Sequence, residues 1–378
     1  MRQGTPGFVG ERLTEAREVN GLTQVALVRL LGESISTASV SQYETGATTP
    51  SPQVLNMLAS RLGFPSSFFF RGERFDDNRA TFFRSKASAS GSAKRMAGWK
   101  LRWAGRVVSY LDAYLELPGR ANLVPVPVDP SVFDQDLLED AATSLRRHWG
   151  LGDGAISDLL LLAENQGFII SRQRLFEQRE DALSRAEMDG VRDYILINAD
   201  KASTVRSRFD LAHEIAHMTL HRHLTESQRR AHHAMIEKQA HHFASAFLLP
   251  AERFASQVHY PSLDLLLALK ERWKVSVSAM TMRCRALGLI DEPGFRNLRK
   301  QLSWRGWTRR EPLDDSIQAE LPRLLPRAFS TLFDAGLQRP EDVGRALALP
   351  AHEVERVAGL KEGTLSRPNI LEFSRERS

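Results

Sequence analysis

The chain has 378 residues, which is long enough for two to three domains of about 150 residues each, with sizeable buried cores. Hydrophobic residues make up 42% and charged residues 26%, which is ordinary for a globular protein and excludes collagen-like, wholly disordered and disulfide-stapled classes. The formal net charge of +5 permits a nucleic-acid partner without requiring one. Because the single Cys284 cannot form an intramolecular disulfide, and the sequence shows neither a secretory-signal pattern nor a membrane-spanning run, we expect a cytoplasmic protein with no membrane partner.

Two short helices joined by a tight turn are predicted near the start of the chain. Thr23 is a suitable N-cap for a helix over 24–31, and after a turn at Gly32, Ser36 is a suitable N-cap for a second helix. In that second helix Val40 faces inward, whereas small polar residues face outward. Such a pair of helices is typical of a helix-turn-helix that reads the major groove of DNA.

The N-terminal segment resembles the XRE/Cro family of phage-type repressors over about 60 residues. Three spaced blocks carry the resemblance: RLTEAREVNGLTQVALVRLLG, SVSQYETG and PSPQVLNMLASRLGFP. The resemblance implies a double-stranded DNA operator read by a homodimer. By position it also implies a phosphate contact for Gln24 and places Thr37, Ala38 and Gln42 near base edges. Ser36 and Ser39 are assigned to the same DNA-binding surface. The alternative is a helical module that binds protein.

A basic segment follows this module. Between Arg79 and Arg106 there are eight basic residues and no acidic one, and Ser85–Ser92 is expected to be a flexible connector. A helix is predicted over 96–117, ended by Pro118. Because residues 1–72 hold six Arg and five Glu, that module alone would release few counterions from DNA, so the basic connector or dimerisation would have to supply further phosphate contacts.

The middle of the chain mixes helices and strands. Helices are predicted around 137–148 and 156–165, and strands over 167–171 and 194–198. Helices dominate afterwards. The fold class is therefore predicted to be mainly α with a small β-sheet (α+β). Four consecutive parts are expected: an N-terminal helix-turn-helix domain over 1–72, a basic linker and connecting helix over 73–122, an α/β domain over 123–290 and a helical C-terminal region over 291–378.

A metal-binding motif, HExxH, lies in an apolar helical frame. On a helix, His213 and His217 are one turn apart on the same face, so both imidazoles can reach one zinc ion. Glu214 lies beside them, where a carboxylate can take a proton from a water molecule.

Two residues compete for the place of third zinc ligand. His223 follows His217 at the spacing found in metzincins, but Leu220 stands where that pattern requires a glycine. Glu237 lies twenty residues after His217, in register with the apolar face of a second helix. The spacing therefore favours Glu237. Two histidines and one glutamate leave the fourth position open, as in a catalytic rather than a structural zinc site.

Residues 135–290 resemble the ImmA/IrrE family of zinc metallopeptidases. The resemblance is carried by the blocks RSRFDLAHEIAHMTLH, EKQAHHFASAFLLP and LKERWKVSVSAMTMRCRALGLI. It implies that Zn²⁺ is bound by His213, His217 and Glu237 and that Glu214 is the general base. Relatives commonly have asparagine where this chain has His241, so that position receives no role. The family implies a bacterial regulator that cleaves a helix-turn-helix repressor in a stress, phage or mobile-element circuit.

Two functions stay open. The first is a DNA-targeted zinc endopeptidase whose substrate is a repressor or its own N-terminal module; the second is a transcription factor whose zinc domain is a sensor or scaffold with little or no proteolysis. The intact Glu214 favours the first, and the fused helix-turn-helix favours the second. No motif supports chemistry on a small metabolite. In the first case, the strand over 194–198 could hold an extended substrate along its edge.

Several other residues receive interpretations with a lesser role. His221 follows His217 by one helical turn and is expected at most beside the metal site. Cys284 is predicted to lie in the core. Beyond Pro293, basic residues alternate with Trp304 and Trp307; a surface helix with a packed tryptophan pair is favoured over a nucleic-acid contact.

Overall fold

The chain folds into two compact units that do not follow its linear order. The computed structural model of the protein describes residues 4–32, 34–72, 81–85, 91–173, 180–185, 191–199 and 204–366. Unit 1 comprises residues 1–75, 95–117 and 325–378, and unit 2 comprises residues 76–94 and 118–324. Of the C-terminal region expected over 291–378, residues 291–324 group with the α/β part of the chain, whereas the following helices group with the N-terminal segment.

The described residues are mostly helical, which confirms the predicted α+β class. A short 3₁₀ helix covers Ser66–Phe70. The α-helices in chain order are α1 (Gly10–Val19), α2 (Gln24–Leu30), α3 (Thr37–Glu44), α4 (Pro52–Leu62), α5 (Gly91–Asp112), α6 (Gln135–His148), α7 (Leu159–Asn165), α8 (Thr204–Leu220), α9 (Glu226–Ala231), α10 (His233–Leu248), α11 (Ala251–Ala255), α12 (Leu263–Trp273), α13 (Val277–Ala286), α14 (Glu292–Trp304), α15 (Leu324–Asp334), α16 (Pro340–Leu347) and α17 (Ala351–Ala358).

The N-terminal part of unit 1 contains the two capped helices that the sequence predicts. The Thr23 hydroxyl accepts a hydrogen bond from the backbone N–H of Ala26 at the start of α2. The Ser36 hydroxyl accepts one from the backbone N–H of Ser39 at the start of α3. Val40 is fully buried on the inner face of α3. Both predicted caps are therefore confirmed, and each satisfies a backbone donor that the helix itself leaves without a partner.

Helix α5 begins and ends about five residues earlier than the predicted helix over 96–117. Most of it packs into unit 1. The Trp103 indole is fully buried, its ring centre lies 5.9 Å from that of Phe64, and its N–H donates a 2.5 Å hydrogen bond to Glu15 on α1. The helix is therefore part of the core around α1–α4, where the sequence suggests only a connection.

Four cations of α5 are paired with glutamates of unit 1. Arg95, Lys100, Arg102 and Arg106 each place a nitrogen within 4.0 Å of a glutamate oxygen, and Lys100 and Arg106 are also buried. Because their charge is compensated inside the unit, they are poor candidates for the phosphate contacts expected of the basic connector. Three further cations of the connector have side chains outside the described residues: Arg79, Arg84 and Lys86.

Unit 2 contains a four-stranded sheet with the strand order β1-β3-β4-β2. Strand β2 pairs parallel with β4, whereas β3 pairs antiparallel with both β1 and β4. The fourth strand has the bounds predicted from the sequence, and the second begins two residues later than predicted. The strands are β1 (Thr81–Ser85), β2 (Ile169–Gln173), β3 (Glu180–Arg185) and β4 (Tyr194–Asn198).

The segment 85–92 does not match a flexible connector at its ends. Ser85 is the last residue of β1, and Gly91 is the first residue of α5. Residues 86–90, on which the rest of this expectation falls, lie outside the described part of the chain.

Strand β4 lies inside the sheet, so the expectation that it holds a substrate along its edge is wrong. Its two edges are hydrogen-bonded to β2 and to β3, and all five of its residues are buried. A strand covered on both faces and both edges has an unbroken apolar sequence, which is why Tyr194–Asn198 is such a clear strand signal and also why it has no free edge to offer.

Helices α8 and α10 form the centre of unit 2. Helix α8 packs against β3, β4 and α10, and α10 also packs against α6. Almost every residue of α8 is buried, although three of its buried side chains are His213, Glu214 and His217. Burying such polar groups is costly unless they have partners, and each of these three side chains has one.

Within unit 2, buried ion pairs join the segment 311–323 to helix α12. The Lys270 ammonium is fully buried and lies 2.8 Å from Glu311 and 2.6 Å from Asp314. Glu311 also accepts the backbone N–H groups of Val277 and Ser278 at the start of α13. The residues after α14, whose role the sequence leaves open, therefore stabilise the α/β part of the chain.

Of the two C-terminal tryptophans, only one is packed. The Trp304 side chain is 93% exposed, whereas Trp307 packs against the core of unit 2 and lies beneath the guanidinium of Arg305. The expected packed pair is therefore wrong for Trp304, which is the last residue of α14 and extends away from the core. Cys284 is fully buried in α13, as predicted.

The described helices differ from membrane-spanning helices in length or in hydropathy. Within the described ranges, none of the helices is both long enough and apolar enough to cross a membrane.

Candidate metal centre and nucleic-acid interface

Two helices of unit 2 bring three potential metal ligands together. His213 and His217 lie one turn apart on α8, and their Nε2 atoms are 3.0 Å apart. Glu237 lies on the first turns of α10, with one carboxylate oxygen 3.3 Å from His213 Nε2 and the other 3.3 Å from His217 Nε2. Among the described residues, these three form the one cluster of histidine, cysteine and acidic side chains close enough to hold a metal ion.

The spacing of these atoms fits a zinc ion. Zinc binds nitrogen and oxygen ligands at about 2.0–2.1 Å in a tetrahedron, so neighbouring ligand atoms lie about 3.3 Å apart. The two Nε2 atoms are 3.0 Å apart, and each lies 3.3 Å from a different carboxylate oxygen of Glu237. Two imidazoles and one carboxylate are also a donor set that zinc prefers, and they leave one tetrahedral position open.

The electrostatics of Glu237 favour a bound cation. Burial alone raises the pKa of this carboxyl, but hydrogen bonds and charge from His213 and His217 outweigh burial and hold the pKa well below its usual range. The carboxylate is therefore ionised at neutral pH, which is the form that binds metal.

Replacing this carboxylate should remove the metal. We expect Glu237→Gln to weaken zinc binding by roughly 100-fold or more, since even outer partners of zinc ligands are worth about 10- to 100-fold. Zinc titration of the full chain with a competing chelator measures the change. The matched control is His223→Gln, which alters the alternative third ligand and should bind zinc as the wild type does; the reverse result would assign the metal to His223.

His223 lies outside this cluster. Its side chain is exposed, at the turn that follows α8. His241 is also exposed; its ring packs on Phe209 and its centre lies 6.4 Å from that of His213. His242 instead hydrogen-bonds to Glu139. None of these three histidines therefore belongs to the cluster.

Glu214 is held by a partner that the sequence does not reveal. The Ser184 hydroxyl on β3 donates a 2.5 Å hydrogen bond to Glu214 Oε2, and both side chains are fully buried. This hydrogen bond fixes the orientation of the carboxyl group. No spacing rule connects residues 184 and 214, because their contact exists only once β3 lies against α8.

His221 forms a second layer next to the cluster. Its Nδ1 lies 3.1 Å from Nδ1 of His217, and its Nε2 lies 2.9 Å from the side-chain oxygen of Gln239 on α10. Burial, reinforced by the neighbouring His217, lowers the pKa of His221 to about 3, so the ring is neutral at physiological pH. The sequence places His221 beside the site but gives no indication of Gln239.

In unit 1, helix α3 presents a small, uncharged surface to the solvent. Ala38 and Gln42 are exposed, while Thr37 and Ser39 are half-buried. The exposed Ser36 uses its hydroxyl to cap the helix. These side chains match the short, neutral surface that lets a helix approach base edges closely.

Gln24 is already engaged within the protein. Its side-chain N–H lies 2.8 Å from Glu44, and the same carboxylate accepts two hydrogen bonds from Arg17. Glu44 therefore connects α1, α2 and α3. A phosphate contact by Gln24 would use its second N–H or replace this bond, since an amide nitrogen has two donors.

Two family models match the chain. Residues 169–285 match the peptidase M78 family model, described as the IrrE N-terminal-like domain. Residues 9–67 match a model described as a helix-turn-helix domain. The chain joins a helix-turn-helix domain to an IrrE N-terminal-like domain. No curated protein matches it.

The IrrE N-terminal-like domain covers the whole candidate metal centre. The matched residues begin at the first residue of β2 and extend into α13, so they include α8, α10 and Ser184. The helix-turn-helix domain in turn covers α1–α4. The matches thereby confirm a helix-turn-helix domain and an ImmA/IrrE-type domain in one chain, so the chain combines a helix-turn-helix domain with a metallopeptidase-like domain.

Proposed function

We propose that this protein is a DNA-binding regulator whose zinc-dependent endopeptidase domain cleaves a helix-turn-helix repressor, or its own chain, to relieve repression. The observation that carries the proposal is the convergence of His213, His217 and Glu237 to within bonding range of one cation, directly beside the buried carboxylate of Glu214. A purely structural zinc site has four protein ligands and no need of such a base.

In the proposed mechanism, each residue of the site has a separate task. His213, His217 and Glu237 would hold zinc, which when bound acidifies water and polarises a peptide carbonyl. Glu214 accepts the proton of the attacking water and returns it to the leaving amine. Ser184 keeps one oxygen of Glu214 fixed.

A cleavage assay tests this function directly. The zinc-loaded full chain is incubated with a helix-turn-helix repressor encoded beside it, and separately alone, with and without a chelator, and fragments are identified by mass spectrometry. We expect defined fragments of one of these chains only when zinc is present. Intact chains in every sample, together with zinc-dependent changes in DNA binding, would overturn the peptidase and support the second function, a transcription factor with a zinc sensor or scaffold.

The second function rests on the fused helix-turn-helix domain, because a dedicated protease needs no DNA reader of its own. In that case zinc would stabilise unit 2 without a reaction. The buried Ser184–Glu214 pair speaks for the peptidase, because neither side chain would be needed for a sensor.

The proposed DNA contact of Gln42 can be tested alone. If its exposed amide reads a base edge in an operator bound by a homodimer, Gln42→Ala should weaken specific binding by about 1–3 kcal/mol, the usual worth of a bidentate contact. Fluorescence anisotropy with operator and unrelated duplexes at fixed salt measures this. Gln53→Ala, which removes an exposed glutamine from α4, is the control; equal affinities for both variants would favour a protein-binding module.

A further inference from the structure

A buried hydrogen-bond chain leads from the candidate metal centre to a backbone loop. It runs from His217 through His221 to Gln239, and from there to the carbonyl oxygens of Asp129 and Val132. The first three side chains are at most 1% exposed. The chain lies entirely within unit 2.

The loop end of this chain fixes the orientation of the Gln239 amide. Its nitrogen lies 2.8 Å from the Asp129 carbonyl oxygen and 2.6 Å from the Val132 carbonyl oxygen. A flipped amide would place its oxygen against two other oxygens, so the nitrogen must face the loop. The amide oxygen must therefore face His221, and an oxygen can only accept a hydrogen bond there.

This orientation determines the tautomer of both histidines in turn. His221 must carry its proton on Nε2 to donate to Gln239, which leaves a lone pair on Nδ1 in a neutral ring. That lone pair lies 3.1 Å from Nδ1 of His217 and can only accept a proton from it. Nε2 of His217 is the atom that lies among the other two ligand groups, so when Nε2 binds a metal ion it is Nδ1 that carries the proton donated to His221.

We propose that His221 and Gln239 are positioning residues that hold the ring of His217 through its Nδ1–H, so that its Nε2 faces the metal. The inference rests on the proposed zinc site. An imidazole binds metal through an unprotonated nitrogen, and a partner on its other nitrogen fixes the ring and makes it a better donor. In this chain that partner is a second imidazole, itself oriented by an amide.

The tautomer can be observed without any reaction. The full chain, labelled with ¹⁵N-histidine and freed of metal, is examined by ¹⁵N–¹H correlation spectroscopy, with His217 assigned by the signal lost in His217→Gln. We expect a proton on Nδ1 of His217 and a proton on Nε2 of His221. A His217 ring without a proton on Nδ1 would overturn the inference.

Zinc affinity provides a second readout with a matched pair of variants. His221→Phe keeps a ring of similar size but has no acceptor, and we expect its zinc dissociation constant to rise by about 10- to 100-fold. His221→Asn can place an oxygen near the former Nδ1, and we expect its affinity to return towards that of the wild type. Wild-type affinity in His221→Phe would contradict the inference.

The two proposals fail in different ways. If the tautomers and zinc affinities are as expected but no chain is cleaved, the peptidase function fails and the positioning role stands. If His221→Phe does not fold, the spectra of the wild-type chain decide the matter on their own.

Discussion

Glu214→Gln is expected to leave zinc binding unchanged and to lower the rate of peptide-bond cleavage by about 10²- to 10⁴-fold, the usual contribution of a general acid–base group. The amide has the size of the carboxylate, and its oxygen can still accept the hydrogen bond from Ser184. It cannot take a proton from water. Cleavage rates of the zinc-loaded full chain, with zinc content measured on the same samples, test this expectation.

Two comparisons make this test specific. Glu252→Gln removes an exposed carboxylate from α11 in the same unit and should cleave at the wild-type rate. If Glu214→Gln also cleaves at that rate, or if it regulates transcription as the wild type does, the peptidase function is wrong and the sensor or scaffold remains.

Lys270→Met is expected to lower the free energy of unfolding by about 3–5 kcal/mol, the usual loss when one partner of a buried ion pair is removed. The substitution keeps the length of the side chain but leaves Glu311 and Asp314 buried opposite an uncharged group. Their desolvation is then no longer compensated. Denaturant unfolding, followed by tryptophan fluorescence, measures the change.

The control for this variant is a cation of equal charge at the surface. Arg230 is 80% exposed and pairs with Glu226 on the same helix, so Arg230→Met should change stability by no more than about 0.5 kcal/mol. A loss below about 1 kcal/mol in Lys270→Met would mean that the segment 311–323 can leave its site at little cost, and that this segment does not anchor the α/β part of the chain.

Local signals predicted what is local in this protein. The caps Thr23 and Ser36, the strand β4 and the helical face shared by His213 and His217 each depend on residues within one or two turns of one another. These relations can be predicted directly from the residue types and from their spacing along the chain.

Contacts between distant segments could not be predicted in the same way. Ser184 contacts Glu214, and Gln239 contacts His221, only after β3 and α10 have packed against α8. The position of β4 inside the sheet depends likewise on β3, which lacks a clear strand pattern. Glu237 could be predicted as a metal ligand from its register with the apolar face of its helix. The face that packs against α8 also places the carboxylate next to the two histidines of α8.

The discontinuity of unit 1 restricts where a protease could act on its own chain. If the fragments separated after a cut between residues 72 and 91, the helix-turn-helix domain would leave α5, and the buried Trp103 would lose both the ring of Phe64 and the acceptor on Glu15. The C-terminal fragment would then expose the Trp103 indole and the arginines of α5 that now pair with glutamates of α1, instead of a polar, solvated surface. Self-processing at that point would thus yield two damaged fragments, which makes a separate polypeptide the more suitable target.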